Sequence, residues 1–484
     1  MFKFWFINKE LNKILYYMWG IKINRFVILV VAFLIFTLGS STGTAIEILV
    51  QPGESIQAAV NNTSSGDLII VKPGNYTENI IIGTQNLTVT SESGNPEDTI
   101  VAANNPNVNV FNIRANNVTI NGFKVRSAQY AEVIGIYLAG CSHCTISNND
   151  LSENYLGLYM SNSKNNTIVD NKMSLNSKYG IQLMHSEGNV LSNNSADSNH
   201  HGIVLENNCS NNNLTENMAG SNAGYGIYLI NSSSNNLNGN TISKNDMGIY
   251  LTNSNLNIIL GNNILENIRY GMWISHSNYN RISGNTINES NWGIHMNSSD
   301  NSTLSGNILA FNHISGLSMC PACDNNTIFD NYLNNTFNAE VGNRKNTWNT
   351  TKKTGINIVG GPSLGGNFWA NPGGTGFSQT APDKDKNGIA DIKYNETNFT
   401  DFLPLVSVSN PEQQAPSVEN SSIYLINSST DLTNSSTDLT NSSTNLTNFS
   451  TDLTDVTAPK TAKVPVTAKS SSNEDNTTEK DGNQ

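Results

Sequence analysis

Charge is what this sequence has least of. Only 13% of its 484 residues are Asp, Glu, Lys or Arg, about half the usual share. Arginine occurs 6 times and lysine 20 times, against a net charge of -12. No basic patch interrupts the body of the chain, which excludes nucleic-acid binding through phosphates. Hydrophobic residues are also sparse, at 37%. After residue 45 there is no apolar run of the roughly 20 residues that a membrane span takes. Asparagine fills the space, with 82 residues. It is a poor helix former and a good turn former, so a helical bundle is excluded.

One apolar run does exist, Phe26 to Gly39, preceded by Lys22 and Arg25 and followed by Gly43, Thr44 and Ala45. It reads as an export signal over residues 1–45, with an uncleaved signal anchor as the alternative. Translation could start at Met1 or Met18. Either way the rest of the chain is expected outside the membrane, at the cell surface or in the medium.

A short motif then recurs. It reads GIYL at Gly135, GLYM at Gly157, GIQL at Gly180, GIVL at Gly202 and GIYL at Gly226. Further copies begin at Gly248, Gly271, Gly293 and Gly316, with spacings of 22, 23, 22, 24, 22, 23, 22 and 23. A period this constant marks a solenoid. Each copy has three apolar beats in short alternating segments split by Asn, Ser and Gly, as in Ile146 and Leu151 after Gly135. Three strands per 22–23 residues make one rung of a right-handed parallel β-helix, an all-β fold. A leucine-rich repeat would need a Leu/Asn consensus and helical segments, which are missing.

Asparagine keeps two fixed places in the repeat, at Asn149, Asn171 and Asn194 and again at Asn154, Asn176 and Asn199, continuing to Asn331 and Asn312. These are expected to turn the corners in left-handed backbone and to stack as amide ladders. Residues 54 to 60, ESIQAAV, read as a short helix capping the N-terminal end of a β-helix over 46–345. About 12 rungs are expected, each about 4.8 Å above the last.

Residues 346–406 break the repeat and form a C-terminal cap. Within it, DKDKNGIAD alternates carboxylates and an amide before glycine, a pattern that wraps a hard cation in oxygen ligands. The expected ligands of a structural calcium are Asp383, Asp385, Asn387 and Asp391, with the carbonyl of Ile389. Residues 407–484 are a low-complexity tail, with Leu425, Leu432 and Leu439 in a seven-residue STDLTNS unit. One apolar residue per heptad makes no coiled-coil seam, so the tail is expected to be disordered. Its sequons at Asn427, Asn434, Asn441 and Asn448 fit glycosylation of an exported chain.

Candidate chemistry is thin. Cys141 and Cys144 lie eight rungs, about 38 Å, from Cys320 and Cys323, so no four-thiolate site forms. Each pair is expected to close a local disulfide. A soft-metal site, the first with His143, is the alternative. Met160, Met296 and Met319 occupy core positions of the motif, so copper binding is not expected. Glu266 and Glu289 share a place on adjacent rungs, roughly 5 Å apart, the spacing of a retaining glycosidase pair. An exposed acidic spot is the competing reading. The third motif residue points outward, giving the column Tyr137, Tyr159, Gln182, Val204, Tyr228, Tyr250, Trp273 and His295. A flat platform of these aromatic rings would stack sugars.

The period, the asparagine corners and the opening VQPGESIQAAVNNTSSGDLIIVKPGNYTENI resemble the NosD-type right-handed parallel β-helix family. This is a branch of the pectin-lyase-like superfamily that includes carbohydrate-binding proteins and sugar hydrolases. The closing GGNFWANPGGTGF and DKDKNGIADIKYNETNFTDFLPLV are similar to that branch in cell-surface proteins of methanogenic archaea. The resemblance covers residues 46–406. It implies a periplasmic or surface location and, for the family's namesake, copper delivery to nitrous oxide reductase. The expected function is a non-catalytic surface β-helix that binds glycans or builds the cell envelope, partnered by polysaccharide or other envelope proteins. The alternatives are a polysaccharide lyase, hydrolase or epimerase acting along the aromatic face, and copper handling.

Overall fold

The computed structural model describes residues 45–126, 132–342 and 345–407. The export segment and the low-complexity tail with its sequons lie outside the described residues. Three parallel sheets form the faces of a right-handed β-helix. One has thirteen strands and one has twelve. The third begins as three strands, continues through single bridges at Asp150, Lys172 and Ser195, and ends as seven strands. Strands in the twelve-stranded sheet run to six residues, as in Tyr225–Ile230 and Met247–Thr252, while those of the other long sheets are mostly three.

The register is strict. Ile227 pairs with Ile249, Leu229 with Leu251, and Leu237 with Ile259. Each inward apolar residue therefore rests on its counterpart one rung away, and these side chains are 0% exposed. The thirteenth strand of the longest sheet comes from Glu47–Val50, which pairs with Leu68–Val71 before the repeat becomes regular.

The corners are held by side-chain ladders. At the first of the expected Asn places, the Asn217 N–H and its Nδ2 both donate to Asn240 Oδ1 at 3.0 Å. Asn217 Nδ2 also donates to the Leu191 carbonyl at 2.9 Å. The same triple contact recurs from Asn171 to Asn331. The second Asn place forms its own ladder, as between Asn222 and Asn245.

The corner conformation is not where the sequence places it. Left-handed backbone belongs to the residue before each ladder asparagine: Asp170, Asn193, Gly239, Gly261, Glu266 and Glu289 all have φ between 53° and 65°. The ladder asparagines are chosen for hydrogen bonding, and their predecessors make the turn. Two further ladders occupy the third corner. Asn166, Asn189, Asn212, Asn235 and Asn257 form one. The other links Ser163, Ser186, Cys209, Ser232 and Ser254.

The N-terminal end is closed by α1, Ile56–Asn61. Ser55 Oγ accepts from the Ala58 N–H at 3.0 Å, and the Glu78 carboxylate accepts from the N–H groups of Ile56 and Gln57. Its buried face is Ile56, Ala59 and Val60. At the other end Phe368–Ala370 adds to the third face by pairing with Tyr332–Asn334. Trp348, Trp369, Tyr394 and Phe399 stack behind it. No helix among the described residues is long and apolar enough to cross a membrane.

Candidate functional site

The six-residue strands owe their shape to glycine at the second position. A Cβ on Gly248 would come within 2.4 Å of the Gly271 carbonyl oxygen, and one on Gly226 within 2.4 Å of Ile242 Cγ2. Glycine lets successive rungs approach, and the residue before it is partly exposed at Tyr179, His201, Tyr225, Tyr270 and Trp292, while Met247 is buried. The outer column pairs in register: Tyr137 with Tyr159, Tyr228 with Tyr250, Tyr250 with Trp273, and Trp273 with His295. Gln182 and Val204 interrupt it and are buried.

A second column, absent from the sequence reading, runs beside the first. It is made by the residue before each glycine: Tyr179, His201, Tyr225, Met247, Tyr270 and Trp292. The signal was present in the repeat but fell one position outside the motif as framed. The columns touch, edge to face between Tyr225 and Tyr228 with centroids 4.7 Å apart, and tilted by 41° between Tyr270 and Trp273, 5.0 Å apart. Together they make a continuous aromatic strip.

The expected flat platform takes a different form. Tyr228 and Tyr250 have centroids 4.8 Å apart and planes within 3°. His201 and Tyr225 are 4.5 Å apart and also within 3°, and Tyr137 and Tyr159 are 5.2 Å apart at 10°. Parallel rings lying side by side in one plane would clash at these distances, so they overlap as offset stacks. Identical side chains repeated at rung spacing turn their faces toward one another. The strip therefore presents ring edges and phenol oxygens, and its outer column is broken by the buried Gln182 and Val204 between Tyr159 and Tyr228.

Charges along the strip are mostly paired within the protein. The Arg269 guanidinium grips Asp246, its Nε 2.6 Å from Oδ1. Lys178 Nζ lies 4.8 Å from the Tyr179 ring centroid, and Gln182 donates to Glu206. Burial and neighbouring His200 push the His201 imidazole down to about 4, so it is neutral at pH 7, and its Nδ1 accepts from the Tyr225 N–H at 2.9 Å. Burial also lowers His295. Trp273 Nε1 and His295 Nδ1 are buried without a hydrogen-bond partner in the protein.

The carboxylates Glu266 and Glu289 do occupy one corner position on successive rungs. Both are exposed in left-handed backbone, and Glu266 lies 3.7 Å from Lys244 Nζ. The cysteines are all free thiols. Cys320 Sγ and Cys323 Sγ are 3.3 Å apart. Cys141 and Cys144 are buried, while His143 between them is exposed. Their places explain them. Cys141 N–H donates to Ser163 Oγ, and Ser186 N–H donates to Cys209 Sγ. Cys144 N–H donates to Asn166 Oδ1. These thiols stand at ladder positions where other rungs carry Ser or Asn.

In the cap, ligand oxygens of Asp383, Asp385 and Asp391 all lie within 4.8 Å of one another. Asp383 accepts from the N–H groups of Asn387 and Gly388 at 3.1 and 2.8 Å. Asn387 donates its amide to Asp385. The Ile389 side chain is buried. The loop thus folds back on Asp383, with its carboxylates gathered on one side.

Residues 208–374 match the family model described as periplasmic copper-binding protein (NosD), and residues 109–265 match the right-handed β-helix region. No curated protein matches the sequence. Among solved structures, DFA-IIIase from Arthrobacter chlorophenolicus A6 without its lid is similar at 12% identity and a TM-score of 0.46. It covers 59% of this chain and 92% of that one. The Dettilon tailspike protein is similar at 14% identity and a TM-score of 0.45, covering 63% and 72%. The mannuronan C-5 epimerase AlgE4 A-module of Azotobacter vinelandii gives 15% identity and a TM-score of 0.42, covering 60% and 91%.

Proposed function

For a chain that belongs to the right-handed β-helix proteins, we propose an exported surface protein that binds a glycan chain along its aromatic strip without cleaving it. The observation that carries this reading is the confinement of the two aromatic columns to one face, over successive rungs from Tyr179 to Trp292. Phenol edges repeating at rung spacing give a polymer a matching row of hydrogen-bond partners, and the ring edges beside them give apolar contact for sugar C–H groups. The unpartnered Trp273 Nε1 and His295 Nδ1 add polar demand within the strip. A lyase or epimerase needs a free acid or base beside the reacting carbon. Here Asp246 is paired with Arg269. The segment Phe26 to Gly39 supports export.

The test is affinity electrophoresis of the full chain in gels cast with a panel of polysaccharides, each also checked for cleavage products. Wild-type protein is expected to be retarded by at least one glycan. Tyr228→Ala, Tyr250→Ala and Trp273→Ala together should reduce the retardation at least tenfold, with no products. Retardation that survives the triple change would sink the strip as the binding site. Products would replace the reading with an enzyme.

The cap loop is proposed to hold a structural calcium through Asp383, Asp385, Asn387 and Asp391 with the Ile389 carbonyl. Binding at a hundred times Kd stabilises the folded state by about 2.7 kcal/mol. Millimolar calcium should therefore raise the cap's melting temperature, EDTA should reverse the change, and Asp385→Asn should abolish the response. A melting curve indifferent to calcium in wild-type protein counts against the site.

A further inference from the structure

The twelve-stranded sheet ends in a cleft of about 360 Å³ between the last rung and the cap, within the range of small-molecule sites. The aromatic strip leads to it. Ala339 pairs with Leu317, so Phe337, two residues earlier, falls in line with Ser315, Trp292 and Tyr270 of the column before glycine. Phe337 is 67% exposed at the mouth. Behind it the walls are Trp369, Phe377 and Tyr394, with Trp369 and Tyr394 stacked at 4.5 Å.

The polar groups in the cleft favour one kind of ligand. Asn371 and Glu396 line it, and no Lys, Arg or His does. Glu396 is exposed and accepts from the Tyr394 hydroxyl at 2.7 Å through Oε1, and among the described residues it has no ion-pair partner. Its second oxygen can accept from a ligand hydroxyl. Asn371 uses its amide to pin Thr375, at 3.0 and 3.1 Å, which keeps one amide hydrogen available. A uronate, sulfate or phosphate would meet a bare carboxylate with no cation to offset it. A neutral pyranose brings hydroxyl donors for the carboxylate and C–H faces for the rings.

The geometry points to this cleft as a binding site for a neutral sugar unit, the end or a terminal branch of the chain that the strip holds. The choice of a saccharide rests on the glycan-binding reading above. An aromatic cleft with one carboxylate would otherwise also suit an organic cation.

Calorimetry on the full chain separates these ligands, using cellobiose, maltose and chitobiose, then digalacturonate, then choline. At least one neutral disaccharide is expected to bind, and digalacturonate is not. Glu396→Lys, at an exposed position, should weaken the neutral sugar at least tenfold and admit digalacturonate. Phe377→Ala should weaken it by a similar factor. Choline binding in place of sugars overturns the inference, as does disaccharide binding indifferent to both substitutions. Retardation by a polymer with no heat from any disaccharide overturns the cleft and leaves the strip reading standing. Absence of both removes the two together.

Discussion

Asn240→Leu is expected to destabilise the β-helix by about 3–6 kcal/mol, read as a fall in the urea midpoint of the full chain. Asn240 is completely buried. Its Oδ1 accepts from the Asn217 N–H and Nδ2, and its own Nδ2 donates to the Leu214 carbonyl at 2.9 Å and to Asn262 Oδ1 at 2.8 Å. Leucine of similar volume removes all four bonds, among them those to the Asn217 N–H and the Leu214 carbonyl of the preceding rung. Each orphaned group costs about 1–3 kcal/mol. Asn263 provides the contrast. It lies one rung on, beside Asn262 and between Thr241 and Thr286 in the ladder of strands, and its Oδ1 is buried without a partner. Asn263→Thr should change stability by less than about 0.5 kcal/mol, or raise it. If the two substitutions cost the same, side-chain ladders are not what holds the corners.

The difference between these two asparagines also shows what the sequence makes legible. The 22–23-residue period, the inward positions of Ile227 and Leu229 and the capping helix could all be read directly, because burial repeats with the rung. The ladders at Asn149 and Asn154 were legible for the same reason. The Ser163 and Asn166 ladders were not, because Ser and Asn are so common between strands that fixed positions disappear among variable ones. Those hidden ladders also gave three of the cysteines a structural place that spacing alone did not show. Cys141 and Cys144 read as a disulfide or metal pair in isolation, and they and Cys209 each fill a place that Ser or Asn fills on other rungs.

At the site, the outer aromatic column followed from strand alternation. The column before glycine did not, because alternation alone puts that residue inward. At Tyr225 and Tyr270 that residue is nonetheless partly exposed, while Met247 between them stays buried. Ring orientation was further out of reach. Alternation says which way a side chain leaves the backbone, whereas the tilt of Tyr228 against Tyr250 depends on both rungs at once.

The largest pH effect is expected at Asp401, which ends a ladder. The Asn331 N–H donates to Asn367 Oδ1, and the Asn367 N–H then donates to Asp401 Oδ2 at 2.7 Å. Trp369 Nε1 reaches the same oxygen at 2.9 Å, and the Leu403 N–H reaches Oδ1 at 3.0 Å. A carboxylate thus stands where another rung would supply an amide, and it ties the cap to the last turn. Asp401→Ala orphans three donors and should loosen the cap by about 3–5 kcal/mol. Trypsin should then cut within 346–406 while the rungs before Asn331 stay protected.

Burial outweighs those hydrogen bonds and pushes the Asp401 carboxyl up to about 6, from 3.8. A raised acid favours the fold in its protonated form, so its contribution is full below about pH 4 and is lost as pH rises to about 6. The span corresponds to about 3 kcal/mol. Asp330, also raised to about 6 by burial, acts in the same direction and window. Cap stability should therefore fall between pH 4 and 6, followed by the fluorescence of Trp348 and Trp369, and Asp401→Asn should remove about half of that slope. A cap that gains stability over this interval would mean that the donors around Asp401 hold it ionised.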